Sequence, residues 1–158
     1  MVKKEFIDFI SKLIKSYGFE KNKSNFYFDF ENDIVAVIGL EKSNFGEYYY
    51  IEYGFVFKSI NKHLPYPKYF EANIRCRRIK YLDSTAIKYE LINKEELLKI
   101  LNAEIIMIKE VGIQGTKNII DTYILTKSTK KYIAIIGYDT IKYLGISDNG
   151  ITIHPGTV

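Results

Sequence analysis

The chain has 158 residues, 47% hydrophobic and 27% charged, enough for one domain that buries its own core without disulfides or a structural metal. Its 23 basic and 19 acidic residues leave a formal charge of +4 and are interleaved, which excludes a polybasic arm and is too mild an excess to imply nucleic acid. No uninterrupted apolar run of about eighteen residues offers a membrane span, and the single cysteine, Cys76, excludes an internal disulfide and any multi-cysteine zinc site while suiting a reducing, cytoplasmic location.

Residues 2–17 place Phe6, Phe9, Ile10, Leu13, Ile14 and Tyr17 on one broad face, with Lys4, Asp8, Ser11, Lys12 and Lys15 mostly opposite. That spacing predicts an amphipathic helix. Two leading lysines resemble the start of a secretion signal, but Asp8, Lys12 and Lys15 interrupt the apolar stretch, so the segment reads as part of the mature protein. Gly18 follows where a left-handed C-terminal cap is usual.

The period then changes to two. Residues 25–31, "NFYFDFE", put Phe26, Phe28 and Phe30 on one side and Asn25, Tyr27 and Asp29 on the other. A second strand, 34–42, has Ile34, Ala36, Ile38 and Leu40 inward, and a third, 48–58, has Tyr49, Ile51, Tyr53, Phe55 and Phe57 inward. Tight connections between successive strands predict an antiparallel meander. Residues 61–69, "NKHLPYPKY", form a loop, because two prolines one residue apart cannot donate to a ladder.

A fourth strand follows with Ala72, Ile74 and Cys76 inward and Asn73, Arg75 and Arg77 outward, while Arg78 breaks the alternation and marks a strand end or a bulge. Residues 86–92 alternate through Ile87, Tyr89 and Leu91 and allow a fifth strand. Asn93 is a good N-cap with Glu96 at the capping-box position, opening a helix to about Val111, and a second helix starts near Thr116. From residue 130 the pattern fits a buried helix or strands, with a hairpin on the Asp-Asn-Gly turn as one option. The expected fold is α+β across residues 1–158: an N-terminal helix and C-terminal helices packed on one face of an antiparallel four- to five-stranded meander sheet. Residues 1–92 hold the first helix and the sheet, and 93–158 are mainly helical.

The helix followed by "YGFEKNKSNFYFDF" and then "IGLEKSNFGEYYYIEYGF" resembles the domain of unknown function 4304 family, found mainly in bacteria. Lys42 and Ser43 match its Gln-Lys-Ser motif, whereas Glu41 stands in the Gln position and Glu52 where Asn is usual. The resemblance covers roughly residues 1–80 and implies a helix packed on an antiparallel sheet. It brings no established activity.

Catalytic chemistry finds little footing. His63 and His154 lie in no metal-ligand spacing, and no second cysteine is present. Residues 112–118, "GIQGTKN", do not have the order of a phosphate-binding loop, and no nucleophile elbow occurs. The pairs Glu31 with Asp33 and Glu95 with Glu96 sit at a turn and a helix start, where carboxylates serve structure. Cys76, predicted inward, reads as a small buried hydrophobe, with a reactive thiol as the other option. No catalytic residue, metal or cofactor is assigned.

What remains is the outer face of the sheet, where Tyr27, Asp29, Glu41, Tyr48, Tyr50, Glu52, Arg75 and Arg77 project together. Three readings stay open. The arginines pair with Glu52 and other acids across the strands as plain surface structure. Alternatively, tyrosine and arginine form a binding surface for a protein, a peptide or an anionic ligand, with a non-catalytic macromolecule-binding module, by analogy in defence or toxin neutralisation, as the leading expectation. The third is a platform on which single-stranded nucleic acid stacks, disfavoured by Asp29, Glu41 and Glu52 on the same face. An enzyme with an unrecognised pocket is a further alternative.

Overall fold

Leucine, isoleucine and phenylalanine at helical spacing fix the first layer. In the computed structural model, which describes residues 1–61, 65–124, 135–145 and 152–153, helix α1 (Lys3–Ser16) buries Phe6, Ile10 and Ile14 completely. It ends at Gly18, whose φ of +90° is costly for any residue with a Cβ. Helix α2 (Lys94–Gln114) starts as expected, with the Asn93 Oδ1 accepting from the Glu96 N–H at 3.1 Å. It runs past Val111 to Gly115, at φ +96°. Its buried stripe is Leu97, Leu101, Ile105, Ile108 and Val111. A short helix α3 (Thr116–Ile119) follows, continuing through residues 120–124 as a wider π turn.

Both long helices lie against the same face of a sheet. Strands β1 (Glu20–Asn22), β2 (Asn25–Asp29), β3 (Ile34–Lys42), β4 (Tyr49–Phe57) and β5 (Ile74–Arg78) pair in sequence order, each antiparallel to the last. This is the expected five-stranded meander, with one exchange of members. The predicted strand at 86–92 is a lone bridge, Ile87 pairing with Tyr49 through bonds of 2.9 and 3.0 Å, and the chain then turns as a 3-10 helix at Tyr89–Leu91. The edge strand β1 takes its place in the count.

Beyond β5, strand β6 (Ile135–Ile136) pairs antiparallel with it, helix α4 spans Tyr138–Leu144, and strand β7 (Thr152–Ile153) runs parallel to β6. The C-terminal part thus combines a helix with strands. The Asp-Asn-Gly turn of the suggested hairpin lies outside the described residues, as do His63 and His154.

The core sits between helices and sheet, where Phe6, Ile10, Ile14, Leu101 and Ile105 meet Ile38, Ile51, Tyr53 and Phe55. Burying each such side chain contributes about 1.5–3 kcal/mol before the entropic cost of ordering it. Among the described residues no helix is long and apolar enough to cross a membrane.

One departure from the ladder matters for the opposite face. The register pairs Gly54 with Arg75 but Tyr53 with Arg77, so Cys76 is an extra residue and β5 carries a bulge there. The predicted irregularity beside Arg78 is therefore real and lies two residues earlier.

Candidate functional site

The face turned away from the helices holds Tyr27, Asp29, Glu41, Tyr50, Glu52 and Arg75, but its middle is not open. Val37, Val56 and Ala72 are buried to 0–3% exposure and form a second, small apolar cluster with Tyr27. Their cover is the chain from Pro65 to Ala72, which crosses the sheet as a strap. The Tyr66 ring stands edge-on to Tyr27 with centroids 5.4 Å apart, and the Tyr69 N–H donates to the Asn25 Oδ1 at 3.3 Å.

Glycines in the floor make room for this strap. A Cβ on Gly39 would stand 3.1 Å from the Tyr69 Cβ, and one on Gly54 would stand 3.1 Å from the Ala72 Cβ. The strap's ends are tied by asparagines. The buried Asn73 Oδ1 accepts from the Phe57 N–H at 2.8 Å and from the Asn61 Nδ2 at 3.1 Å.

Two clefts flank the strap. One, of about 580 Å³, is walled by Tyr27, Val56, Pro65 and Tyr66, and holds the Lys58–Asp29 ion pair at 2.8 and 2.9 Å. The other, of about 480 Å³, is lined by Asn25, Gly39, Glu41, Glu52, Tyr69 and Phe70, with Lys21, Lys23, Lys42 and Lys68 around it.

At the far corner the bulge brings Arg78 opposite Glu52. The Arg78 Nε donates to the Glu52 Oε1 at 2.5 Å, and its Cζ stands 4.0 Å from the centre of the Tyr50 ring. Tyr50 in turn meets Tyr48 edge-on at 5.6 Å and 90°. The Glu52 side chain is 6% exposed and that of Arg78 46% exposed, so a sunken carboxylate holds a guanidinium whose other side faces water. Burial pushes the Glu52 carboxyl above its ordinary range and Glu41 adds to the rise, while Arg78 pulls against both.

The structure thus brings Glu41, Tyr48, Tyr50 and Glu52 into one corner. Tyr27 lies apart, beneath Tyr66, and Arg75 sits opposite Gly54 in the middle of the face. The Arg77 backbone pairs with Tyr53, and its side chain lies outside the described residues. Arg78, not Arg75, is the described arginine that takes Glu52. The break in alternation at "CRR" was its signal. For the strap, the signal was an aromatic-rich loop following strands whose outward positions include Val35, Val37 and Val56.

Residues 10–128 match the family described as Domain of unknown function (DUF4304). The chain belongs to this family. The DUF4304 match extends well beyond the first eighty residues. It takes in the second half of α1, strands β1–β5, the strap, α2 and α3, so the whole corner and nearly all of the lining of both clefts lie within it. No curated protein and no solved structure matches the chain.

Proposed function

We propose that this DUF4304 chain is a non-catalytic binding module, and that the corner formed by Tyr48, Tyr50 and Arg78 receives a protein partner. One observation carries this reading. Arg78 is held from below by Glu52 and from the side by Tyr50, so an exposed planar cation is already fixed in place before any partner arrives. Preorganised arginine and tyrosine lose little entropy on binding and dominate interface energetics. Phe70, 56% exposed on the strap, lines the cleft beside Glu41 and Glu52 and offers an apolar contact next to the corner. A cytoplasmic setting, which keeps the buried Cys76 thiol reduced, belongs to the same proposal.

A second reading has its own support. Lys21, Lys23, Lys42 and Lys68 surround the neighbouring cleft, a basic margin next to two tyrosines set edge to face, the combination of charge and aromatic surface that single-stranded nucleic acid uses. Glu41 and Glu52 oppose it.

Photo-crosslinking inside the native host separates the two. A benzoylphenylalanine is placed at position 70, with position 113 on α2 as a remote exposed control. A protein adduct formed from position 70, absent from position 113 and lost in the Arg78→Ala variant, supports the protein interface. Adducts removed by nuclease turn the assignment to nucleic acid, and equal yields from both positions refute a partner at this corner.

A further inference from the structure

Two cations of the outer face are matched by carboxylates. Lys58 is taken by Asp29 at one end and Arg78 by Glu52 at the other. Arg75, between them opposite Gly54, has no carboxylate among the described residues. Its Nε and Nη2 are both closed off from solvent and have no hydrogen-bond acceptor. These two nitrogens share one edge of the guanidinium, and their parallel N–H groups form a fork spaced for two oxygens of a single carboxylate or phosphate. A guanidinium does not escape by losing its proton, so a sealed and unpaired fork is a costly arrangement that an anion relieves.

The surroundings favour an anion as well. The buried Glu52 carboxylate is already committed to Arg78 and is not free to pair with Arg75. The Tyr69 side chain lies within electrostatic reach of Arg75, Arg78 and Glu52, and burial keeps its hydroxyl protonated and therefore a donor. Tyr69 is also a wall of the cleft of about 480 Å³, whose margin carries Lys21, Lys23, Lys42 and Lys68. Lysines at a cleft margin concentrate anions there.

We propose that Arg75 anchors an oxyanion site, gripping the carboxylate or phosphate group of a small ligand through its Nε–Nη2 fork, with the Tyr69 hydroxyl as a further donor. Arg75 lines neither cleft, so access to its fork requires the strap to give way beside Tyr69. This site stands independently of a protein partner at the Arg78 corner, since it uses the one arginine of the described outer face that Glu52 and Tyr50 leave alone.

The test is calorimetric titration of the purified full chain with inorganic phosphate and, separately, acetate, at ionic strength held constant with chloride. Wild type is expected to bind one of the two saturably, and the anion that binds identifies phosphate or carboxylate as the natural group. Arg75→Met is expected to lose that binding and, without anion, to unfold at the same or a higher temperature than wild type, because an unpaired buried charge has been removed. Arg75→Lys, which keeps the charge but not the fork, should bind roughly tenfold or more weakly. Absence of saturable binding to either anion in wild type overturns the proposal. So does binding that survives Arg75→Met, which would assign it to the lysines, and so does a marked loss of stability in Arg75→Met without anion.

Discussion

Arg78 and Glu52 face each other across β5 and β4 at 2.5 Å, and the two are buried to very different depths. Removing the guanidinium leaves a sunken carboxylate without its charge partner, whereas removing the carboxylate frees a half-exposed arginine to seek water. The two deletions are therefore unequal. Arg78→Ala should destabilise the fold by about 1–2 kcal/mol at neutral pH, below the range for fully buried pairs because water screens Arg78. Adding Glu52→Gln should restore most of the loss. Urea unfolding of the two single variants and the double variant measures the coupling, and additive effects would show that the pair does not interact.

The same carboxylate sets a pH dependence. Glu52 has its pKa raised by burial, with Glu41 contributing, so the folded protein binds that proton more tightly than the unfolded chain. Its contribution to stability is present below the ordinary carboxylate pKa and is lost as pH rises through the folded value. Asp29 and Asp33, whose pKa values are lowered, act in the opposite sense, but equally in wild type and variant. The stability of Glu52→Gln relative to wild type should therefore improve between about pH 4 and about pH 7. A difference that stays flat over that interval counts against a raised pKa.

Gly112 lies buried on α2, where a Cβ would stand 2.1 Å from the Phe30 ring. Alanine is the better helix former by about 1 kcal/mol, so the two effects compete. The ring has to swing away and give up its contact with Phe28, 4.8 Å distant. Gly112→Ala should destabilise by about 1 kcal/mol overall. In a Phe30→Ala background the same change should stabilise, and thermal unfolding of the four proteins tests that change of sign.

Gly54 offers no such escape. Its hypothetical Cβ meets the Ile74 carbonyl oxygen at 2.3 Å and the Arg75 Cα at 3.3 Å, both backbone atoms of β5. No side-chain rotation relieves that overlap. Gly54→Ala should cost about 3 kcal/mol or more and part β4 from β5, visible as faster amide exchange along Ile74–Arg78.

How much of this was legible in the sequence depended on periodicity. Phe6, Ile10 and Ile14 at helical spacing, and Tyr49 to Phe57 at spacing two, located α1 and β4, although β4 is buried on both of its faces. The cover on the outer face was harder to read. Strict alternation makes every second residue look solvated, yet Val37 and Val56 are as buried as their inward neighbours. An unbroken apolar run signals a strand covered on both sides, and residues 34–40 form one. Alternation also misassigned the partner of Glu52. A bulge is decided by which residues pair across strands, and pairing is not written in the bulged strand alone. The alternation through Ile87, Tyr89 and Leu91 suggested a strand, but a single bridge and a 3-10 turn stand there, burying Ile87 and Tyr89 and leaving Leu91 exposed.

The strap divides the sheet between two regimes of motion. On one side the strands are pinned by the central core under α1 and α2, which releases only when the whole protein unfolds. On the other they are covered by eight residues held chiefly by Asn25, Asn73 and two tyrosine rings. Few buried contacts and side-chain tethers define a unit that opens at low free energy. The Phe57 amide, whose acceptor is the Asn73 side chain, then exchanges whenever the strap lifts, while that of Leu101, inside α2, waits for global unfolding. The cover is therefore expected to open before the core does, and any ligand of the covered floor would enter no faster than that opening.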